Sequence, residues 1–310
     1  MRLYGGGGGL TPRGEVAAHS PHRGTPDPVR TLEIGLLRAH PPGSVAAVDD
    51  AGRLLAAYDQ QLRGETEVTP GAQSMTRHGP LFLVTFAGGR GWITYRDLGG
   101  ADAAGIRGLV AAALDHYRAA TDITTVEWKS RGHDVAPGLP EALAEHGFIP
   151  EEPESIMIGE ARALAVDVPL PDGVTLRQVT AEADVRAMSA MADVVFGDPV
   201  NERTPEILLR RMARDTGMEI WVAEADGRMI CAGRLERVQG TDFAGLWGGA
   251  TVPEWRGRGI YRALTAARAR SALRMGATLL NSDSTEYSRP ILERSGFVAV
   301  STTTPYNSKR

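Results

Sequence analysis

The chain has 310 residues, a hydrophobic content of 42% and a formal net charge of −4. The length fits two average domains better than one, and the apolar content lets each bury a core. The mildly acidic balance excludes a strongly basic nucleic-acid surface, and no apolar run reaches the roughly 18 residues of a bilayer span. We therefore expect two domains with no nucleic-acid partner and no membrane partner.

The placement of cysteine and histidine limits the chemistry further. The single cysteine, Cys231, excludes an internal disulfide and a multi-cysteine metal site. All seven histidines precede residue 147, so the second half has no histidine base or metal ligand of its own. The N-terminus lacks the apolar segment of a secretory signal. Together these features favour a cytoplasmic protein without a metal site.

The first 29 residues differ from the rest in composition. They contain the glycine run 5–9 and four prolines among scattered polar residues. Such a segment cannot bury enough apolar surface to fold, so we predict a disordered tail over 1–29.

The next segment, 30–163, alternates strand-like and helix-like stretches. Strands are predicted where apolar and polar residues alternate between turn signals, and helices where apolar residues recur at helical spacing. The predicted strands are 31–38, 45–49, 80–86, 91–96, 123–128 and 155–159, and the predicted helices are 54–62, 104–119 and 139–146.

A proline-rich, aperiodic stretch at 164–173 predicts a linker to a second domain, 174–310. The same patterns predict an alternation of strands and helices in this domain. The predicted strands are 174–179, 220–224, 229–238, 243–251, 278–281 and 298–304, and the predicted helices are 181–196, 205–215, a helix from Ile260 to a C-cap at Gly276, and 288–295.

The two halves end in the same order of elements. Each has a long helix, a strand, a short helix led by proline, a Gly-Phe pair and a final strand, with the pairs at 147–148 and 296–297. This order predicts a duplicated domain. The alternative is coincidence, because the order helix, Gly-Phe, strand is common in α/β proteins.

The most informative stretch is 250–264, where a predicted strand, a glycine turn and a predicted helix follow one another. Gly257 and Gly259 alternate with Arg256 and Arg258 just before the helix. Glycine lets the backbone turn tightly and approach a ligand, and a helix N-terminus favours a phosphate. The arginines add positive charge and paired donors. The stretch therefore predicts a phosphate-binding loop.

The sequence of this loop allows three interpretations. The first is an ordinary glycine-rich turn. The second is a dinucleotide-binding loop, but Arg262 stands where the third glycine belongs and no acidic residue follows about 20 positions on. The third is based on the pattern Arg-x-x-Gly-x-(Gly/Ala) at 256–261, which resembles the pyrophosphate loop of GNAT N-acetyltransferases. The sixth position departs from that pattern, with Tyr261 in place of a small residue.

The resemblance to the GNAT family covers most of 174–306 and includes the order of elements. It implies an α+β fold with a mixed sheet and acetyl-CoA as co-substrate. It also implies that the backbone near Thr251 and Val252 pairs with the pantetheine arm and supplies an oxyanion donor. The residues implied for pyrophosphate binding are Arg256, Gly257, Arg258, Gly259, Ile260 and Tyr261.

The proton donor is where the sequence departs from the family. The family often has a tyrosine near the coenzyme A sulfur, and this chain has Leu292 at that position. Tyr287, five residues earlier, is our single prediction for the catalytic proton donor. Ser284, Asp283 and Glu286 in the same loop remain alternatives.

A general base is not evident from the sequence. Glu224, Glu236 and Asp242 are candidates, although each pattern is more typical of an exposed charge on or beside a strand. Cys231 lies among apolar strand residues, which predicts a raised thiol pKa and low reactivity. We therefore expect direct acetyl transfer without an acetyl-enzyme.

The first half resembles the family more weakly and lacks the loop. The corresponding stretch, 97–105, contains Asp97 and Asp102 and no arginine. Negative charge is unfavourable at a phosphate site, so the first half is predicted to bind no coenzyme A.

The sequence therefore predicts a tandem GNAT-like protein with a degenerate domain at 30–163 and an acetyl-CoA-binding domain at 174–310. Its expected activity is acetyl transfer to an amine on a small molecule or a peptide, with the first half shaping the acceptor cleft. The tandem architecture also resembles that of mycothiol synthases. The alternative from another class is a non-catalytic coenzyme A-binding or scaffold protein.

Overall fold

The computed structural model describes residues 45–68, 71–120, 122–214 and 217–309. The predicted tail at 1–29 and the predicted strand at 31–38 lie outside these ranges. Within them, helices pack on a single mixed sheet, as the predicted fold class requires.

The described part of the first half begins with a helix that buries Leu54 and Tyr58, four residues apart, and Leu62 continues this spacing just after the helix ends. A short 3-10 turn follows at Gly64–Glu67. The elements of this half are α1 (Val45–Gln61), β1 (Ala72–His78), β2 (Leu81–Phe86), β3 (Arg90–Tyr95), α2 (Ala103–Ala119), β4 (Thr125–Arg131), α3 (Leu139–Glu145), β5 (Ile149–Pro150), β6 (Glu154–Glu160) and α4 (Ala161–Leu164).

Residues 165–173 form an irregular connection to the second half. The elements of the second half are β7 (Val174–Val179), α5 (Glu182–Phe196), α6 (Arg203–Met212), β8 (Met218–Ala225), β9 (Arg228–Arg237), β10 (Phe243–Thr251), α7 (Ile260–Arg274), β11 (Leu279–Ser284), α8 (Arg289–Ser295) and β12 (Val298–Lys309).

The sheet runs in the order β1-β2-β3-β4-β12-β6-β11-β10-β9-β8-β7, with β5 pairing β12. Two of its neighbouring pairs are parallel, β3 with β4 and β10 with β11. In each half, the parallel pair is joined by a long helix, α2 or α7. This repeated arrangement agrees with the predicted duplication of the domain.

The two halves exchange their last strands. The final strand of the first half, β6, pairs with β11 of the second half from Leu279↔Glu160 to Ser284↔Ser155. The final strand of the second half, β12, pairs with β4 of the first half from Thr303↔Arg131 to Lys309↔Thr125. Each half therefore completes the sheet of the other, and the sheet is continuous through the middle of the molecule.

Helices cover both faces of the second half of the sheet. On β8, Ile220 and Val222 pack with α5 and α6, whereas Ala223 and Ala225 pack with the start of α7. Successive side chains of a strand point to opposite faces, so α5 and α7 lie on opposite sides of the sheet.

One prediction of local structure was wrong, and three elements were not predicted, namely β1, the two-residue strand β5 and the short helix α4. The predicted strand at 45–49 is the first part of α1, because a short apolar run does not by itself distinguish helix from strand. The strand β1 was not predicted, since its sequence is largely polar and six of its seven residues are exposed. The other predicted strands and helices within the described ranges are present, with ends shifted by a few residues.

Candidate active site

The strands β10 and β11 separate after a short parallel stretch. They pair only from Phe243↔Leu279 to Gly245↔Asn281, although β10 continues to Thr251. A bulge between Trp247 and Ala250 in the pairing with β9 bends β10 at this point. The result is a gap between the carboxyl ends of two neighbouring strands, the usual place for a ligand in a parallel arrangement.

Glycine is favoured at the bulge. Gly248 has a φ of 61°, and a Cβ atom there would lie 2.6 Å from an Nη atom of Arg234. The left-handed backbone disfavours any side chain at this position, and the end of the Arg234 side chain would have to move to admit one.

Some of the backbone N–H and C=O groups at the end of β10 point into the gap. The Val252 N–H donates to the Ile230 carbonyl of β9 at 3.0 Å, so it is not free to serve as an oxyanion donor. Along an antiparallel pair, the backbone groups of successive residues point alternately towards the partner strand and away from it. Since Val252 bonds to β9, the N–H and C=O groups of Thr251 point away from β9 and towards the gap. The role of this segment in binding the pantetheine arm stays a prediction, and Thr251 is the better placed oxyanion donor of the two residues.

The glycine loop leads directly from this gap into α7. Gly257 and Gly259 have φ values of 73° and 79°, which glycine adopts readily. Gly259 is the N-cap residue of α7, and no described side chain caps the first turn. A Cβ atom on either glycine would meet no described atom within 4 Å. The loop thus presents unpaired N–H groups and open space, as an anion site requires.

The two arginines of the loop have different roles here. Arg256 Nε donates to the Thr251 carbonyl at 2.9 Å and ties the loop to the end of β10. The guanidinium of Arg258 lies 4.8 Å from the centre of the Trp255 ring. Both residues are exposed, while Ile260 is buried and anchors the start of α7.

Tyr261 does not obstruct the loop. Its ring folds back over the bulge, so that a Cβ atom on Gly249 would lie 2.7 Å from it. The guanidinium of Arg268 lies 5.6 Å from the centre of the same ring. The bulky residue at the sixth loop position therefore fills space beside β10 and leaves the glycines open.

The other wall of the gap is a run of small polar residues on β11. Ser282 Oγ donates to the Leu246 carbonyl of β10 at 3.0 Å and closes the bottom of the gap. Beyond it, Ser284 is 2% exposed, and its Oγ atom has no hydrogen-bond partner among the described residues.

The predicted proton donor, Tyr287, lies in the turn between β11 and α8 and is 81% exposed. Leu292, at the position of the family's tyrosine, is buried among apolar residues of α7 and β11. The catalytic role of Tyr287 stays a prediction.

The candidate bases found in the sequence have other partners. Glu224 pairs with Arg177 at 2.6 Å, and Glu236 with Arg211 at 2.7 Å. An oxygen of Asp242 accepts from the side chain of Gln61 on α1.

Cys231 is buried, as its apolar strand context predicted. Burial raises the pKa of its thiol to about 11. Its sulfur lies 3.2 Å from Thr251 Oγ1.

An apolar groove of about 390 Å³ opens beside the end of β10 on the α5 side. The side chains that line it come from α5, the α5–α6 connection and the residues after β10. They are Ala190, Met191, Val194, Val195, Val200, Val252 and Pro253. The groove could not be predicted from the sequence, because its walls come together only in the folded chain.

The corresponding region of the first half is closed. Asp102 caps α2, and its Oδ1 atom accepts from the Gly105 N–H at 2.8 Å. Where β3 and β4 separate, Arg131 donates to Thr94 Oγ1 at 3.3 Å and Arg63 to the Tyr95 carbonyl. A carboxylate therefore occupies the helix N-terminus, and side chains fill the gap.

The described residues contain no group of three or more His, Cys, Asp or Glu residues arranged to hold a metal ion. None of their helices has the length and apolar character needed to cross a membrane.

Residues 192–307 match the family model described as an acetyltransferase (GNAT) domain. A GCN5-related N-acetyltransferase from Kribbella flavida is similar in structure, with a TM-score of 0.58 and 18% identity, over 86% of this chain and 96% of that one. A tandem GNAT protein from the clavulanic acid biosynthesis pathway has a TM-score of 0.56 and 17% identity, over 85% and 96%.

A conserved protein of unknown function from Staphylococcus epidermidis ATCC 12228 has a TM-score of 0.60 and 12% identity, over 81% of this chain and 99% of that one. No curated protein sequence matches the chain. The structural similarities are evidence for the fold, and the family model is evidence for the domain. Within the second half, residues 192–307 are therefore similar to GNAT acetyltransferase domains, and the chain as a whole has the fold of tandem GNAT proteins.

Proposed function

We propose that the second half binds acetyl-CoA and transfers its acetyl group directly to an amine. The observation that carries the proposal is the uncapped start of α7, preceded by two left-handed glycines, at the mouth of the gap between β10 and β11. Its occurrence inside a matched acetyltransferase domain makes acetyl-CoA the expected ligand.

In this proposal the pyrophosphate lies over Gly257 and Gly259, where the N–H groups of α7 and the charges of Arg256 and Arg258 favour it. The pantetheine arm follows the end of β10 into the gap. The thioester carbonyl is polarised by a backbone N–H of the strand, with Thr251 the better placed candidate. Fixing both reactants in this way supplies much of the rate without a covalent intermediate.

The acceptor amine is proposed to enter from the opposite face of the sheet. The apolar groove between α5 and Val252 opens on that face, beside the same strand end. A ligand in the groove would bury apolar groups, and its amine would approach the thioester from the side away from α7. The groove therefore favours an acceptor that carries an apolar portion next to its amine.

The chain separates into a degenerate domain at 30–163 and an acetyl-CoA-binding domain at 174–310 in this proposal. The capped α2 and the filled gap of the first half support a structural role for that half. A cytoplasmic location is proposed as well, on the composition of the chain alone.

Turnover of acetyl-CoA against a panel of small-molecule and peptide amines, followed as free thiol, tests the proposal. We expect acetylation of at least one amine and no acetylated protein intermediate. Binding of acetyl-CoA without turnover of any amine would instead favour a non-catalytic coenzyme A-binding protein.

A further inference from the structure

The hydroxyl of Ser284 is a buried polar group for which the fold gives no internal use. The residue ends β11 and is 2% exposed, and its Oγ atom is unpartnered within the described ranges. A buried hydroxyl without a hydrogen bond costs free energy, so such a group requires an explanation.

The strand register directs this hydroxyl towards α7. Leu280 packs against Ala269 and Ala272 of α7. Side chains alternate along a strand, so Ser282 and Ser284 share the face of Leu280. Ser282 already reaches across the gap to the Leu246 carbonyl. Ser284 lies two residues further along the same face, at the level where β10 and β11 no longer pair.

A positive charge lies beside the same position. Ser155 of β6 is the cross-strand partner of Ser284, and Arg289 of α8 has an Nη atom 3.4 Å from Ser155 Oγ. Cross-strand partners project from the same face of a sheet. The guanidinium of Arg289, whose Nε atom also donates to Glu293 at 2.8 Å, therefore lies on the same face of the sheet as the unpartnered hydroxyl. A hydroxyl donor at this end of β11 suits a developing negative charge.

We propose that Ser284 is a catalytic residue that donates a hydrogen bond to the coenzyme A sulfur. This inference rests on the proposed acetyl-CoA site. The amine nitrogen attacks the thioester carbonyl carbon, and the carbon–sulfur bond then breaks. Ser284 passes its proton to the sulfur and receives the proton that the attacking amine loses, so the products are the acetylated amine and the free thiol.

The test uses the full chain with coenzyme A as the probe and needs no acceptor. The pKa of the bound thiol is read from the ultraviolet absorbance of the thiolate over a pH series. Since a hydrogen bond to a charged group is stabilising, we expect Ser284→Ala to raise the pKa of the bound thiol by about one pH unit or more. Affinity for coenzyme A at low pH should be unchanged.

Three comparisons make the result specific. Ser284→Thr keeps a hydroxyl and should keep the wild-type thiol pKa. Ser308→Ala removes another buried strand serine, at the far end of β12, and should have no effect. A rise of the thiol pKa in Tyr287→Phe but not in Ser284→Ala would favour Tyr287 as the donor and overturn the proposal.

Turnover gives a second measurement once an amine acceptor is found. Ser284→Ala should lower kcat by roughly tenfold or more at an unchanged KM for acetyl-CoA. Equal thiol pKa values in the wild type and Ser284→Ala, with coenzyme A bound to both, would overturn the role of Ser284 and leave the acetyl-CoA site standing. Failure of the wild type to bind coenzyme A would overturn both.

Discussion

The burial of Cys231 determines how reactive its thiol is expected to be. It is fully buried in β9, and burial raises the pKa of its thiol to about 11. The thiolate is the nucleophilic form, and its population is very small at neutral pH. A covalent acetyl-cysteine is therefore not an expected intermediate, even though the thiol lies close to Thr251 at the end of β10.

We predict that Cys231→Ala retains most of the acetyltransferase activity. The substitution removes a small apolar group, so its main effect is a modest loss of stability. Steady-state turnover and intact-protein mass spectrometry during turnover test this prediction. An acetyl group found on Cys231 would show that transfer is not direct.

At the scale of residues, the sequence predicted the loop better than the chemistry beyond it. Gly257 and Gly259 could be identified because their type and spacing encode the turn. Ser284 was one of several alternatives to Tyr287, since burial and an unpartnered hydroxyl arise only when β6, β10 and α8 assemble around it. The packing of Tyr261 over Gly249 is likewise a tertiary contact that no local sequence pattern predicts.

At the scale of elements, α2 and α7 are equivalent helices of the two halves that differ at their N-termini. Asp102 caps α2, and its carboxylate takes the place that an anionic ligand would need. Gly259 precedes α7 without a capping side chain among the described residues. The uncapped helix leaves donors and the positive end of its dipole for a ligand. The same element is thus structural in one half and suited to binding in the other.

Gly259→Asp is predicted to lower acetyl-CoA affinity by more than tenfold, or more than about 1.4 kcal/mol. The new carboxylate would stand at the start of α7, as Asp102 does in α2, and would repel the pyrophosphate. Calorimetric titration measures the change. Gly240→Asp is a matched control, because Gly240 also has a left-handed φ, 74°, but lies in the turn before β10. Equal affinity in the wild type and Gly259→Asp would exclude this loop as the phosphate site.

Helices and strands with a clear periodic pattern of apolar residues were predicted well. Elements that exist because they pair with a neighbouring strand were not. The helix α2 and the strands β2 and β3 follow apolar patterns that the sequence displays. The strand β1 has almost no buried residues and exists because it pairs with β2 from Ala72↔Phe86 to His78↔Leu81. Backbone pairing of this kind leaves little trace in side-chain composition.

At the scale of the whole molecule, a buried ionic network joins the two halves. Lys129 of β4 contacts Asp283 of β11 at 2.8 Å and Glu67 at 3.1 Å, and Glu67 also pairs with Arg131. Burial by itself would raise the pKa of Glu67, but the charges of Arg131 and Lys129 outweigh it and hold that pKa at about 2. Because of this network and the exchanged strands, we expect each half to depend on the other for folding.

Glu67→Gln is predicted to destabilise the folded chain at neutral pH by about 3–5 kcal/mol, because it leaves buried cations without their carboxylate. The pKa of Glu67 is lowered on folding, from an ordinary 4.5 to about 2, so its contribution is present above pH 4.5 and is lost as the pH falls towards 2. Denaturant unfolding should show the difference from the wild type shrinking over this range. Glu65→Gln, an exposed change in the same turn, should have little effect at any pH. A constant difference across the range would contradict this account.

The duplication could be predicted from the repeated order of elements, but the exchange of β6 and β12 could not. Both strands are apolar in part and end their halves, and nothing in either sequence specifies which partner strand it joins. The choice follows from the packing of the complete sheet. The same limit applies to the groove beside β10, whose walls come from segments about 50 residues apart.

Hydrogen exchange of the full chain with and without acetyl-CoA tests the central claim most directly, because it locates the ligand in either half at once. We predict protection by acetyl-CoA at 249–263, which spans the end of β10, the glycine loop and the first turn of α7. The corresponding segment of the first half, 94–106, should exchange at the same rate with and without the ligand. Protection of 94–106, or no protection of 249–263 at saturating acetyl-CoA, would contradict the assignment of the site to the second half.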